Sequence, residues 1–169
     1  MLIWALWVVL AANCCGQALG TWKMIPAESR QGNRPLAAAI TVKYEAHPKA
    51  THPNAANQNA ANQNAETWTF YLVHADGISE TTSQTLRFDG KEYPCGDLGL
   101  EELPDTVVST KLDARTTEVS YKKSARITRR VVRTVSANGR RMTLEVRIIP
   151  EKGPAAERLL VFGRSSSGA

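Results

Sequence analysis

Arg129 and Arg133 share the parity of Ile127, Val131 and Val135. In an extended strand one parity is one face. Two guanidinium groups among β-branched residues suit one chemistry, the capture of an acidic group by charge-assisted hydrogen bonds inside a cavity. The plainer arrangement is a bulge near Val131-Val132 that turns the Arg side chains outward. The cost of burying an unpaired guanidinium favours that arrangement.

Other reactive residue types are few and scattered. His47 and His52 are each followed by Pro, with no acidic ligand between them, and read as surface residues. His74 extends the parity of Trp68, Phe70 and Leu72 and reads as a barrel histidine. Cys95 has no His, Lys or Arg within three positions to activate it, so it reads as a small core residue. A structural zinc site takes about four ligands, and no such set is visible. No Ser/His/Asp or Cys/His spacing and no inward carboxylate pair appear, so no metal, no cofactor and no enzymatic activity are expected.

The formal charge is +5. Its excess sits late, in Arg126, Arg129, Arg130, Arg133, Arg140, Arg141 and Arg147. A basic stripe can attract nucleic acid, anionic lipid or acidic polysaccharide. No aromatic stacking platform is interleaved with it. A solvated outer face that blunts sheet edges is therefore the expectation, with no nucleic-acid partner.

These residues need strands to position them. Period-two alternation recurs through Ile40-Val42-Tyr44, Trp68-Phe70-Leu72, Val119-Tyr121, Met142-Leu144-Val146-Ile148 and Leu160-Phe162. One apolar and one polar face is the mark of antiparallel sheet with one side wet. Asp76-Gly77, Asp89-Gly90 and Asn138-Gly139 supply the positive φ angles of tight turns. Pro26 opens a stretch that has room for one helical turn, ended by Gly32. Residues 47–65 contain the repeat Asn-Ala-Ala-Asn-Gln twice and predict an expanded, mobile loop between two paired strands.

The chain begins with an uncharged apolar run, Leu2 to Ala12, 11 residues long. A membrane-spanning helix needs about 20. The run fits a signal peptide, with Gly16-Gln17-Ala18 placing small residues at the cleavage positions and a cut after Ala18. No Lys or Arg precedes it. Cys14 and Cys15 are also placed for lipoprotein processing, but Ala11-Ala12-Asn13 lacks the Leu and the small residue such processing reads. Membrane attachment is expected only if Cys14 or Cys15 carries lipid. The mature chain would be secreted or periplasmic and would retain Cys95 alone among its cysteines, so no disulfide framework is expected.

Gly20-Thr21-Trp22-Lys23 with Pro26-Ala27-Glu28-Ser29, then Thr41-Val42-Lys43-Tyr44-Glu45, resembles the opening of a family of small secreted bacterial lipocalin-like, calycin-type barrels. Phe88-Asp89-Gly90-Lys91-Glu92-Tyr93-Pro94, Asp105-Thr106-Val107-Val108-Ser109 with Leu112-Asp113, and Arg133-Thr134-Val135-Ser136 with Asn138-Gly139 and Met142-Thr143 continue the likeness in order. The resemblance covers the mature chain apart from the Asn/Gln-rich stretch. It implies an up-and-down barrel with Trp22 packed across its floor, and it implies no activity. A more distant likeness runs to fatty-acid-binding proteins. Their last-strand Arg-x-Tyr anchor is replaced here by Leu160-Val161-Phe162, and too few residues separate the first strands for their helical lid. Both departures argue against a fatty-acid role.

The resulting expectation is an all-β chain: signal peptide 1–18, a single antiparallel barrel of about eight to ten strands over 19–164, and a disordered tail 165–169. A small apolar or amphipathic molecule in the barrel would meet Tyr44, Trp68, Phe70, Arg129 and Arg133. The alternative is an envelope-associated module whose interior is filled by its own side chains, since eight strands enclose little more than that. Cavity size separates the two, because ligand pockets start at about 300 Å³.

Overall fold

The structure, a computed structural model, describes residues 18–30, 32, 37–46, 65–95 and 104–165. The export segment before Ala18, the Asn/Gln-rich stretch up to Ala65 and the tail after Ser165 lie outside the described residues.

Ten strands form one antiparallel sheet: β1 Gly20–Met24, β2 Ala39–Ala46, β3 Ala65–Val73, β4 Ser79–Arg87, β5 Glu92–Pro94, β6 Thr106–Lys111, β7 Thr116–Lys123, β8 Arg126–Val135, β9 Arg141–Ile148 and β10 Ala156–Arg164. Their order is β4-β3-β2-β1-β10-β9-β8-β7-β6-β5. Every strand pairs with its sequence neighbours except β4 and β5, which do not pair, and β1 pairs with β10, which brings the two ends of the sheet-forming chain together. The sheet curls into a barrel whose free edges are β4 and β5. Those edges share no ladder. Ser109 bridges the seam instead: its hydroxyl donates to the Arg87 carbonyl at 2.8 Å, and its own carbonyl accepts from the Gly90 amide at 3.0 Å.

The turns follow local chemistry. At Asn138-Gly139 the glycine has φ 65°, and Asn138 Oδ1 accepts from the Ser136 hydroxyl and the Arg140 amide. Between β7 and β8 the turn is Ser124-Ala125, with φ 49° and 64° on two residues that carry a Cβ. Asp105 Oδ2 pins it by accepting the Ser124 amide at 2.7 Å. Pro26–Glu28 forms a single 3-10 turn with proline leading, as Pro26 predicts. That segment lies over β10: Ile25 and Arg30 donate backbone hydrogen bonds to Val161 and Leu159, and the Ser29 hydroxyl accepts the Val161 amide. Val161 is therefore buried although it has the outward parity.

The core lies inside the curl, with Trp22, Val42, Val119, Met142 and Phe162 fully buried. Trp22 has the structural place expected of it. Its indole N–H donates to the Ala18 carbonyl at 2.7 Å, and the Arg164 guanidinium lies 4.6 Å from its ring centre.

Candidate functional site

The interior has two parts. One is filled by a charged plug. Glu66 on β3 and Arg133 on β8 lie on opposite sides of the barrel and meet in the middle, with Nη1–Oε2 2.7 Å and Nη2–Oε1 3.3 Å. Their side chains are 5% and 3% exposed, so the pair is sealed from water. The guanidinium stacks among three rings, 4.8 Å from Tyr44, 4.8 Å from Trp68 and 5.7 Å from Phe88. Trp68 donates its indole N–H to the same Glu66 carboxylate at 3.1 Å. A bidentate partner and aromatic faces together meet the cost of burying these charges.

The other part is a cavity of about 250 Å³. Ile40, Phe70, Leu72, Val131, Leu144 and Leu160 make its apolar walls, and one face of Trp68 separates it from the plug. Its polar groups gather toward the seam and the rim: Thr82, Gln84, Tyr121, Arg129 and Arg158, with the exposed Glu80 and Ser83 where it meets solvent. Gln84 ties this seam together. Its carbonyl oxygen accepts from the Tyr121 hydroxyl at 2.9 Å, and its amide nitrogen lies 3.6 Å from Cys95 Sγ. Burial pushes the Tyr121 hydroxyl well above its ordinary range, with Arg129 opposing. Burial likewise pushes the Cys95 thiol up, against the Gln84 hydrogen bond and Arg129, which disfavours its thiolate.

The structure separates residues that the sequence grouped. Trp68 and Phe70 line the cavity. Tyr44 sits in the plug. Arg129 lines the cavity, its guanidinium 6.0 Å from the Tyr121 ring centre, whereas Arg133 is committed to Glu66. The expected outward bulge at Val131-Val132 is absent. The irregularity lies at Thr128: Tyr121 faces Arg129 and Lys122 faces Ile127. The extra residue moves Ile127 to the outer parity and leaves Arg129, Val131, Arg133 and Val135 inward. The objection to an inward Arg133 was its unpaired charge, and Glu66 removes it. Glu66 was missed, although it carries the parity of Trp68, Phe70 and Leu72.

The remaining basic residues behave as a solvated face. Arg126, Arg130, Arg140, Arg141 and Arg147 are exposed. Glu118 lies 3.5 Å from Arg130, Glu157 lies 3.9 Å from Arg147, and Glu28 lies 2.8 Å from Arg141. They do not blunt edges, because β8 and β9 are interior strands of the sheet. His74 is half exposed, with Nε2 3.2 Å from Glu80 Oε1. Among the described residues no group of three or more His, Cys, Asp or Glu is placed to hold a metal ion.

No protein-family model matches the chain, and no curated protein matches it in sequence. Among solved structures it is similar to zebrafish ileal bile acid-binding protein complexed with cholic acid. The TM-score is 0.53 at 7% identity, covering 88% of this chain and 99% of that one. A second, weaker likeness is to an S-type phycobiliprotein lyase from Guillardia theta, with TM-score 0.40 and 9% identity over 91% of this chain and 92% of that one. At these identities the first likeness is one of fold, a curled antiparallel all-β sheet, and the second adds nothing to it.

Proposed function

We propose that this chain is an exported lipocalin-like binding protein that holds one small apolar or amphipathic molecule in the cavity beside Trp68. The apolar run at Leu2 to Ala12 supports export, to the periplasm or the medium, and the ordered motifs from Gly20 to Thr143 support the secreted bacterial family. The observation that carries binding is the division of the interior. A filled, charge-neutralised plug leaves a separate cavity with apolar walls and a few polar groups at one end, which is the usual build of a small-molecule site. The zebrafish protein complexed with cholic acid shares the fold, which supports small-molecule binding by a curled sheet of this kind.

The volume limits the ligand. About 250 Å³ falls just short of the usual range of drug-sized pockets, which begins near 300 Å³. A dry cavity of about 150 Å³ holds benzene. A compound of about two fused rings fits; a long alkyl chain does not. The plug favours the alternative, a structural module filled by its own side chains, and the apolar-walled cavity beside it supports binding.

Calorimetric titration with the neutral probe 2-naphthamide tests the reading. Binding at one molecule per chain, lost in Val146→Trp because the ring occupies the cavity, supports it. No heat with wild type, or equal binding by wild type and Val146→Trp, overturns it.

A further inference from the structure

We infer that the molecule held in this cavity is an organic anion, with its acidic group on Arg129 at the polar end and its apolar body against Trp68, Val131 and Leu144. This rests on the binding reading above and adds the charge, the anchor and the direction in which the ligand lies.

Three observations lead to it. First, the two inward Arg residues of β8 differ in their partners. Arg133 is ion-paired with Glu66 through Nη1 and Nη2, while no carboxylate among the described residues lies within ion-pair distance of Arg129. Second, Arg129 is only partly buried and lines the cavity wall. Its charge faces a space with low-dielectric walls, where an ionic contact is stronger than in water. Third, the neighbouring polar groups leave that role to the guanidinium. The Tyr121 hydroxyl already donates to Gln84, and Gln84 reaches toward Cys95. Among the described residues the one carboxylate lining the cavity, Glu80, lies beside His74.

Orientation follows from the plug. A ligand that entered acid-first would put its charge against Trp68 and a guanidinium already neutralised by Glu66. Acid-last, the charge stays at the rim with Arg129, and only apolar atoms are desolvated in the depth of the cavity. With the size limit, the class is a compact aromatic or short branched carboxylate, sulfonate or phosphate.

The test compares 2-naphthoate with 2-naphthamide, which keeps size and removes charge, by calorimetry on wild type, Arg129→Gln, Arg129→Lys and Arg158→Gln. Circular dichroism first confirms that each is folded. Wild type binds the acid at least tenfold more tightly than the amide. Arg129→Gln erases that preference while keeping the affinity for the amide, and Arg129→Lys retains most of it. Arg158→Gln keeps the preference. Equal affinity of wild type for acid and amide overturns the anionic ligand and leaves the binding reading standing. Loss of the preference in Arg158→Gln but not in Arg129→Gln overturns the anchor. If wild type binds neither compound, the binding reading itself fails. Should Arg129→Gln unfold, Arg129→Lys and Arg158→Gln with the acid-to-amide ratio of wild type still decide.

Discussion

Arg133 and Glu66, 67 positions apart in sequence, form a two-point ion pair across the barrel interior. The pair links β3 to β8 across the interior. It also decides which Arg faces the cavity with its charge free of a carboxylate. Removing one partner strands the other in a sealed site. Glu66→Gln and Arg133→Met should each cost about 3–5 kcal/mol. The double replacement Glu66→Leu/Arg133→Met should cost much less than their sum, because no charge is left behind. Urea denaturation of the three variants measures this; additive losses would show that the two side chains act independently.

Trp22 and Trp68 are both buried but differ in what surrounds them. Trp22→Ala should cost about 3–5 kcal/mol and leave the cavity walls in place. Trp68→Ala should cost as much and also merge the cavity with the space above Arg133, weakening 2-naphthamide binding. The Trp22 indole also bears on processing. Cleavage after Ala18, the expected site, removes the carbonyl that accepts it. A chain starting at Ala18 should therefore melt a few degrees above one starting at Leu19, since an orphaned buried donor costs about 1–3 kcal/mol. Equal melting temperatures would show that another acceptor or water replaces that carbonyl.

Burial pushes the hydroxyls of Tyr44 and Tyr121 above their ordinary value of 10.0. The folded chain keeps both protons where the unfolded chain loses them. Stability from these groups is whole below 10.0 and declines as pH rises beyond it. Ultraviolet titration should show two tyrosines that ionise only as the chain unfolds. Tyr44→Phe and Tyr121→Phe should each remove one of them. Ionisation of all tyrosines before unfolding would contradict the burial.

Ala125 holds φ 64° in the β7–β8 turn, a region that costs a residue with a Cβ about 1–2 kcal/mol. Ala125→Gly should stabilise the protein by about 1 kcal/mol, less the entropy that glycine adds to the unfolded chain. A melting temperature lowered by the change would mean that the Asp105–Ser124 hydrogen bond does not hold the turn.

Much of this fold was legible locally. Alternation marked β2, β3, β7, β9 and β10, and Asx-Gly marked the turns at Gly77, Gly90 and Gly139, because both are properties of neighbouring residues. The Ser124-Ala125 turn carried no such signal, since tertiary contacts impose its φ angles. The β1–β10 pairing and the Glu66–Arg133 contact join distant parts of the chain, and no local pattern encodes them. Glu66 carries the parity of Trp68, and Arg133 that of Val131 and Val135, but nothing local joins the two, and Glu66 was missed. Without the pairing of strands across the barrel, the cost of a buried charge argued for turning Arg133 out. The single bulged residue, Thr128, then decided which of Ile127 and Arg129 faced the cavity.

The most direct test of the central claim is methyl-labelled NMR of the wild-type chain titrated with 2-naphthoate. A compound in the cavity should shift Val131, Leu144, Val146, Ile148 and Leu160, which line it, and leave Val42 and Val135 in place. Shifts centred on Val42 and Val135, or no shifts at a large excess of the acid, would contradict the account.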